Sequence, residues 1–376
     1  MLQKVQYVII GAGSAGLQLA KALLDMQKPR VSSILLIDQS DVMIDKTWCF
    51  WCNLNHQYSS LVKKEWPNIA FKAGGNSVEE SILPMTYQYI QSGEFYRYHQ
   101  QIFSKDDRID CFIGDVKELT FTEDEAIIHL GEKIIRAEYV FCTDAALLTT
   151  KNLEPKIWQH FIGWTIETTE ACFKTQTFTM MDFDLEDRND LQFMYVLPFN
   201  ATKALIECTI FSASIGEPET YEKYIRNYIS KNFTQNYQIT HVEVGKIPMQ
   251  LSGKYENLNK RVIPIGSAAG RIKASTGYSF IRNMEHTAKI INIIENREAT
   301  FTIKRNLRFE FYDLLLLDII ANKPRECVEI FSKLFKNNSV KLVLKFLDEK
   351  TTIFEDIKIF ASLPKWLFIK ALIKKL

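Results

Sequence analysis

The sequence predicts an α/β fold in three parts: a domain built on a parallel sheet, an antiparallel β-sheet inserted into it, and a helical C-terminal region. Three stretches predict it. Residues 5–20 read VQYVIIGAGSAGLQLA, an apolar run leading through Gly11-x-Gly13-x-x-Gly16 into Leu17, Leu19, Ala20 and Leu23 at helical spacing. That is the strand, glycine turn and helix of a Rossmann-like unit. Residues 157–211 turn β-rich, with runs at Thr177–Met181, Phe193–Leu197 and Ala204–Phe211. The chain beyond residue 301 carries apolar residues at helical spacing, as in Leu314, Leu315, Leu317 and Ile320.

The glycine turn carries the first chemistry. Gly11 allows the tight turn, Gly13 lets the backbone approach a pyrophosphate, and Gly16 lets helix and strand pack closely. Ser14 and Ala15 open the helix, whose free N–H groups and dipole favour phosphate. A second apolar run, Ile34 to Ile37, ends in Asp38, about where an acid reaches a ribose hydroxyl. Together these residues predict a dinucleotide site.

Composition narrows the class. The chain has 376 residues and a formal charge of +1, which argues against nucleic acid as a partner. The first apolar run is too short for a signal peptide, and no stretch is long enough to span a bilayer as a helix. Seven cysteines, an odd number scattered from Cys49 to Cys327, fit reduced thiols in the cytoplasm. Cys49-x-x-Cys52 lacks a second ligand pair, so no metal is expected. Of the six histidines, His129 and His241 fall in strands and His286 in a helix; none forms a recognisable triad.

In chain order, Trp48, Phe50 and Trp51 cluster after the first unit. They read either as core or as a wall near a cofactor or apolar ligand, with Trp48 and Trp51 as substrate contacts. Residues 66–84, with Pro67, Gly74-Gly75 and Pro84, suggest loop or hairpin, and residues 94–104 a helix. Short strands are expected at Ile109–Ile113, Val116–Phe121, Ala126–Leu130, Ile134–Ile135 and Tyr139–Cys142. Turns are expected at 187–190 and 200–202, a helix over 218–232, and a strand through His241 and Val244 to Gly245–Met249. Val262 to Ile265 then runs into Gly266 and Ser267, and Ser275-Thr276-Gly277-Tyr278 opens a helix to about Ile294. A late strand, turn and helix returning to the first glycine loop suits a flavin, because the helix dipole stabilises negative charge at the pyrimidine end of its ring.

The last stretch, Leu363 to Leu376, sets Lys365, Lys370, Lys374 and Lys375 among Trp366, Phe368, Ile369, Leu372 and Ile373. It reads as an interfacial helix on a membrane surface or as a helix docked on the domain.

Several stretches together resemble one family: VIIGAGSAGLQLA, DKTWCFW, WQHFIGWTIET, MMDF, FMYVLPFNATKALIECT, GKIPM, IGSAAGRIKASTGYSF, RFEFYDLLLLDII and FLDEKTTIFEDIKIFASLP. They cover nearly the whole chain in order. They resemble lycopene β-cyclases of the bacterial carotenoid type, within the flavoproteins that include aromatic hydroxylases and geranylgeranyl reductases.

The resemblance implies a Rossmann-like FAD-binding domain with an inserted antiparallel β-sheet substrate domain and a C-terminal helical region. The FAD parts are then 1–60, 96–155 and 251–300; the substrate parts 61–95 and 156–250; the helical region 301–376. It implies reduced FAD, with NAD(P)H as electron donor, and conversion of lycopene to β-carotene through γ-carotene with no net redox change. An end-group double bond is protonated, the carbocation cyclises, and a ring proton is lost. Cofactor contacts are expected from Gly11, Gly13, Ser14, Ala15, Gly16, Asp38, Gly266, Ser267, Thr276 and Gly277, and substrate contacts from Trp48, Trp51 and Tyr195. Peripheral attachment to the inner face of the cytoplasmic membrane follows from the C-terminal helix. Two other activities stay open: a FAD-dependent prenyl or carotenoid reductase or monooxygenase, and a non-catalytic flavin- and carotenoid-binding protein.

The family's essential acid lies in a Leu-hydrophobic-Glu-acid-Thr motif, which maps onto Leu205-Ile206-Glu207-Cys208-Thr209. The second acidic position is Cys208, a departure. Cys142-Thr143-Asp144 departs from the family's Asp-Ser-Arg type of turn, and Ser267 stands where the wider group has an aspartate. From the residues alone, Glu207 is the one acid in an apolar β segment, so desolvation would raise its pKa and suit it to hold a proton near neutrality. Pattern alone also allows a solvent-facing side chain, since Ile206 and Cys208 point the other way. Asp182 and Asp184 are the next carboxylates in the expected sheet.

Overall fold

The computed structural model describes residues 3–41, 45–53, 55–149, 155–185, 190–251, 255, 259–298, 300–301 and 306–373. The turn expected at 187–190 lies, apart from Asp190, outside them, as do Lys374, Lys375 and Leu376.

The N-terminal half runs β1 (Gln3–Ile10), α1 (Ser14–Asp25), β2 (Ile34–Asp38), β3 (Thr47–Asn53), β4 (Val62–Trp66), β5 (Asn68–Ala73), β6 (Asn76–Ser81), β7 (Met85–Gln91), α2 (Ser92–Phe103), β8 (Ile109–Ile113), β9 (Glu118–Phe121), β10 (Ala126–Leu130) and β11 (Lys133–Cys142). Then follow β12 (Trp158–Thr168), β13 (Thr177–Asp182), β14 (Leu191–Pro198), β15 (Lys203–Ser212), α3 (Pro218–Asn232), β16 (Tyr237–Pro248), β17 (Val262–Pro264) and α4 (Phe280–Glu295). The chain closes with α5 (Leu307–Asn322), α6 (Pro324–Asn337), α7 (Val340–Leu347), α8 (Ile353–Ser362) and α9 (Lys365–Ile373).

One sheet has the order β8-β2-β1-β11-β10-β9, with β17 also paired to β11. Its centre is parallel: β1 lies between β2 and β11, and β2 beside β8. Ile9 packs toward α1, α2 and α4, while Val8 and Ile10 face the opposite core. This is the Rossmann-like part. The two short strands read at 134–135 and 139–142 are one strand, β11. It pairs antiparallel with β10 over 133–137, parallel with β1 from Ile135 to Cys142, and parallel with β17 at its end, over 140–142, so it bridges a hairpin and a parallel sheet, and Arg136 and Glu138 alternate outward without breaking it.

The second sheet has the order β16-β12-β15-β14-β13-β5-β6. It is antiparallel except where β13 runs parallel to β5. β16 covers the expected strand as far as Pro248 but starts earlier, at Tyr237, and is paired along its length with β12. One face of this sheet packs on Tyr221, Ile225, Tyr228 and Ile229 of α3, the other on the C-terminal helices. A third sheet, β3-β7-β4, closes one end.

Pro324 separates α5 from α6 and occupies the first turn of α6, where its missing N–H costs nothing. Ser339 caps α7, and Thr352 with Glu355 forms a capping box on α8. No helix among the described residues is long and apolar enough to cross a membrane.

Candidate active site

The glycine turn is held from three sides. Gly11 has φ +99°, its N–H donates to the Ile37 carbonyl at 2.8 Å, and a Cβ there would strike Thr143. A Cβ on Gly16 would strike the Gly11 carbonyl, so helix and turn touch through backbone. A Cβ on Gly13, by contrast, would meet nothing within 4 Å. That open space above Gly13 is what a pyrophosphate approaching the N-terminus of α1 needs. Asp38 Oδ2 accepts the Ala12 N–H at 2.6 Å and Oδ1 the Ser40 N–H at 3.2 Å. Asp38 therefore ties β2 to the turn and keeps a further lone pair on each oxygen.

The second turn leans on the first. Gly266, at φ +55°, is so close to Ala15 that a Cβ would lie 2.9 Å from it. Thr143 Oγ donates to the Ile10 carbonyl at 3.0 Å, and Ser267 Oγ to the Thr143 carbonyl at 2.8 Å. Thr276 and Gly277 do not open α4 as the sequence suggests. Gly277 sits at φ +77° with its N–H bonded back to the Lys273 carbonyl at 2.8 Å, a left-handed turn that delays the helix to Phe280. Lys273 fixes this turn. Its buried ammonium donates to Asp313 Oδ1 at 2.9 Å and to Glu349 Oε1 at 3.1 Å, and Arg282 also reaches Glu349, at 2.8 Å. Three distant stretches, 273–282, α5 and the end of α7, are thus locked together.

A cavity of about 380 Å³ starts at Ser14 and the 275–280 turn, passes over the second sheet, and ends among α5 to α9. Trp48 and Tyr195 line it; Trp48 packs edge-on to Phe95 at 5.4 Å. Trp51 lies behind the wall, edge-on to Tyr278 at 4.6 Å. The Tyr87 hydroxyl joins those of Tyr195, at 2.7 Å, and Tyr278, at 2.8 Å. Burial holds all three phenols above their ordinary range.

Glu207 enters this cavity because of strand alternation. Ile206, Cys208 and Ile210 pack under α3, so Leu205, Glu207, Thr209 and Phe211 take the opposite face. Its partners across the ladders are Tyr195 on β14 and Gly163 on β12. Glu207 is 9% exposed. Desolvation pushes its carboxyl up to about 8, a hydrogen bond from Thr209 Oγ at 2.6 Å opposes the rise, and the Glu243 charge adds to it.

Glu243 is the residue sequence reading missed. It lies on β16, is 5% exposed, and lines the same cavity. Its two oxygens accept the Thr47 N–H at 3.0 and 3.2 Å. The signal was an acid between Val242 and Val244, which the structure turns outward at 50% and 62% exposure. Asp182 and Asp184, the fallback carboxylates, lie elsewhere. Asp182 holds Lys72 at 3.0 Å and the Tyr228 hydroxyl at 2.7 Å, and Asp184 accepts the Gly75 N–H at 3.2 Å. Cys49 lines the cavity with its thiol pushed up by burial, and no group of three or more metal-binding side chains is assembled among the described residues.

Among solved structures, a geranylgeranyl bacteriochlorophyll reductase-like protein from Thermoplasma acidophilum matches with a TM-score of 0.61 at 13% identity, over 98% of this chain and 99% of that one. A flavoprotein/dehydrogenase from Cytophaga hutchinsonii gives 0.59 at 11% identity over 100% of both chains. A variant of halogenase PltM in complex with FAD gives 0.57 at 11%, over 92% of this chain and 82% of that one. These likenesses show a shared fold. In sequence, lycopene beta-cyclase of Pantoea ananas is 23% identical over 283 residues, 72% of this chain and 70% of that enzyme. The family described as "Lycopene cyclase protein" matches residues 6–372. With a match of that length, the chain belongs to the lycopene cyclase family.

Proposed function

We propose that the chain is an FAD-containing lycopene β-cyclase, an isomerase that closes β-ionone rings at the ends of lycopene. The observation that carries this reading is Glu207. It is a carboxyl raised to about 8 at the wall of an otherwise mostly apolar cavity, so it is a proton donor near neutral pH. A polyene end group needs such a donor and little else that is polar. Tyr195 and Tyr278 add ring faces that favour a cation.

FAD fits the residues present. The space over Gly13, the N-terminus of α1 at Ser14 and Ala15, and the Gly266–Ser267 turn would hold the pyrophosphate and ribityl chain. Asp38 would take the adenosine ribose, and Thr276 and Gly277 would border the ring. Bound and reduced, the flavin would supply negative charge that favours a developing carbocation. Glu207 meanwhile holds and delivers the proton, Thr209 orients its carboxyl, and the apolar wall excludes water that would capture the cation.

NAD(P)H would supply the reducing equivalents that keep the flavin reduced. The cavity ends beneath α8 and α9, whose outer faces expose Phe354, Ile357, Trp366 and Ile369. This supports entry of a carotenoid from a membrane surface, with the protein attached peripherally to the cytoplasmic face. The two-part division, 1–60 with 96–155 and 251–300 for FAD and 61–95 with 156–250 for substrate, belongs to the same reading.

Expression in a lycopene-accumulating bacterium with pigment analysis tests it: β-carotene should replace lycopene. Purified protein should make many rings per NAD(P)H oxidised. One NAD(P)H per product would instead place it among the reductases or monooxygenases with which it shares the fold, and flavin binding without any ring closure would leave a carotenoid-binding protein.

A further inference from the structure

Gly163 stands between two carboxyls. On β12 it is the direct partner of Glu207 on one side and of Glu243 on the other. Both acids line the one cavity, on the same face of the sheet. Strands two apart place their Cα atoms roughly 10 Å from each other. Between them Gly163 offers no side chain. A Cβ there would come 2.9 Å from Leu205 and 3.3 Å from the Cβ of Glu207, so the bare position also leaves Glu207 room to lie over β12. The result is a floor with an acid at each edge.

The two acids are held differently. Glu207 receives a hydroxyl hydrogen bond from its own strand, through Thr209. Glu243 receives a main-chain N–H, that of Thr47, on both oxygens. An N–H donor needs an acceptor and leaves the remaining lone pairs of the carboxyl open to the cavity.

We propose that Glu243 is the base of the reaction: it takes the ring proton that leaves after Glu207 has delivered its own. This inference rests on the cyclase reading above. The proton of Glu207 adds to an end-group double bond, whose π pair forms the new C–H bond. The carbon left positive takes the π pair of a second double bond, which becomes the ring-closing C–C bond and moves the positive charge onto the ring. A ring C–H then gives its proton to Glu243, and that electron pair becomes the ring double bond. One proton enters and one leaves, two double bonds become one single and one double bond, and no electron is gained or lost. Once the product has left and water enters the emptied cavity, the proton returns from Glu243 to Glu207. An end group lying over Gly163 meets the donor on one side and the acceptor on the other, so the base, not the acid, selects which ring proton departs.

The test compares wild-type holoprotein with Glu207→Gln and Glu243→Gln, given lycopene under reducing conditions. Rate, flavin content and the position of the ring double bond are read. Both variants should keep flavin and lose at least about a hundredfold in rate. The residual product of Glu207→Gln should keep the β position. That of Glu243→Gln should contain rings with the double bond displaced, because another acceptor takes another proton. A Glu243→Gln protein that works at the wild-type rate, or slowly but with β rings alone, overturns the proposal. If it is insoluble or flavin-free, Glu243→Asp decides. Withdrawing the carboxylate by one methylene should slow ring closure and shift the isomer ratio, and a wild-type rate and ratio would overturn the role. Absence of ring closure in the wild-type protein would instead overturn the cyclase reading itself.

Discussion

The Thr209 hydroxyl donates to Glu207 Oε1 at 2.6 Å, from two residues along the same face of β15. This bond stabilises the ionised carboxyl and so holds its pKa below what burial alone would set. Thr209→Val keeps the shape and removes the donor. The Glu207 pKa should rise further, and the alkaline limb of kcat/KM, set by loss of the Glu207 proton near pH 8, should move to higher pH. The groups facing Glu207 are Cys49 from β3, Tyr195 from β14, Glu243 from β16 and Tyr278 from the turn before α4; none is altered. A pH–rate profile checks this, and an unmoved limb would remove Glu207 from the proton transfer.

Stability should depend on pH through the same group. The folded pKa of Glu207 is raised above its unfolded value, from 4.5 to about 8. Its buried neutral form therefore costs nothing extra below pH 4.5. As pH rises from there through 8, the unfolded state sheds the proton that the folded state retains, and stability falls by a few kcal/mol. Glu207→Gln removes that dependence. Thermal melts should show the variant more stable than wild type at pH 8, with the difference shrinking toward pH 4.5.

Gly13→Val should abolish flavin binding without unfolding the protein. A Cβ at this position has no heavy atom within 4 Å beyond its chain neighbours, and the side chain it carries would occupy the space a pyrophosphate needs. Gly16→Val is the contrast, because its Cβ strikes the Gly11 carbonyl and should damage the turn itself. Flavin absorbance per chain and the melting temperature separate the two. A full flavin complement in soluble Gly13→Val would contradict the cofactor placement.

Removing the chain from Pro364 onward would test membrane attachment poorly. Leu367 and Ala371 of α9 are buried, and Phe368 lines the cavity, so the cut would also open the core. Outward residues are the better probe. Phe354 is 80% and Ile357 60% exposed on α8, and Trp366 44% and Ile369 53% on α9. Changing Phe354 and Trp366 together to Ser should weaken cosedimentation with anionic vesicles severalfold at unchanged melting temperature. Equal cosedimentation would make α9 a docking helix only.

Much of this was legible in the chain because it is local. The spacing of Gly11, Gly13 and Gly16 and the run into Asp38 announce β1, α1 and β2 before any contact is known. Alternation along Ala204–Phe211 set Glu207 apart from Ile206 and Cys208 but could not say which face met solvent. That depended on α3 covering one side and the C-terminal helices the other. The late start of α4 at Phe280 was not legible, because Gly277 and the Lys273–Asp313–Glu349 cluster impose it from distant segments. Glu243 was missed for the same reason: its inward direction is fixed by pairing with β12, against the apolar pattern of its own neighbours.

Donation of the proton that starts ring closure is the role proposed for Glu207. It is tested most directly by the rate of β-carotene formation from lycopene by purified, reduced holoprotein, wild type against Glu207→Gln. The side chain keeps its volume and its partner Thr209 but can no longer transfer a proton. Unchanged flavin content and a rate lower by at least about a hundredfold are expected; β-carotene formed at the wild-type rate by Glu207→Gln would contradict that role.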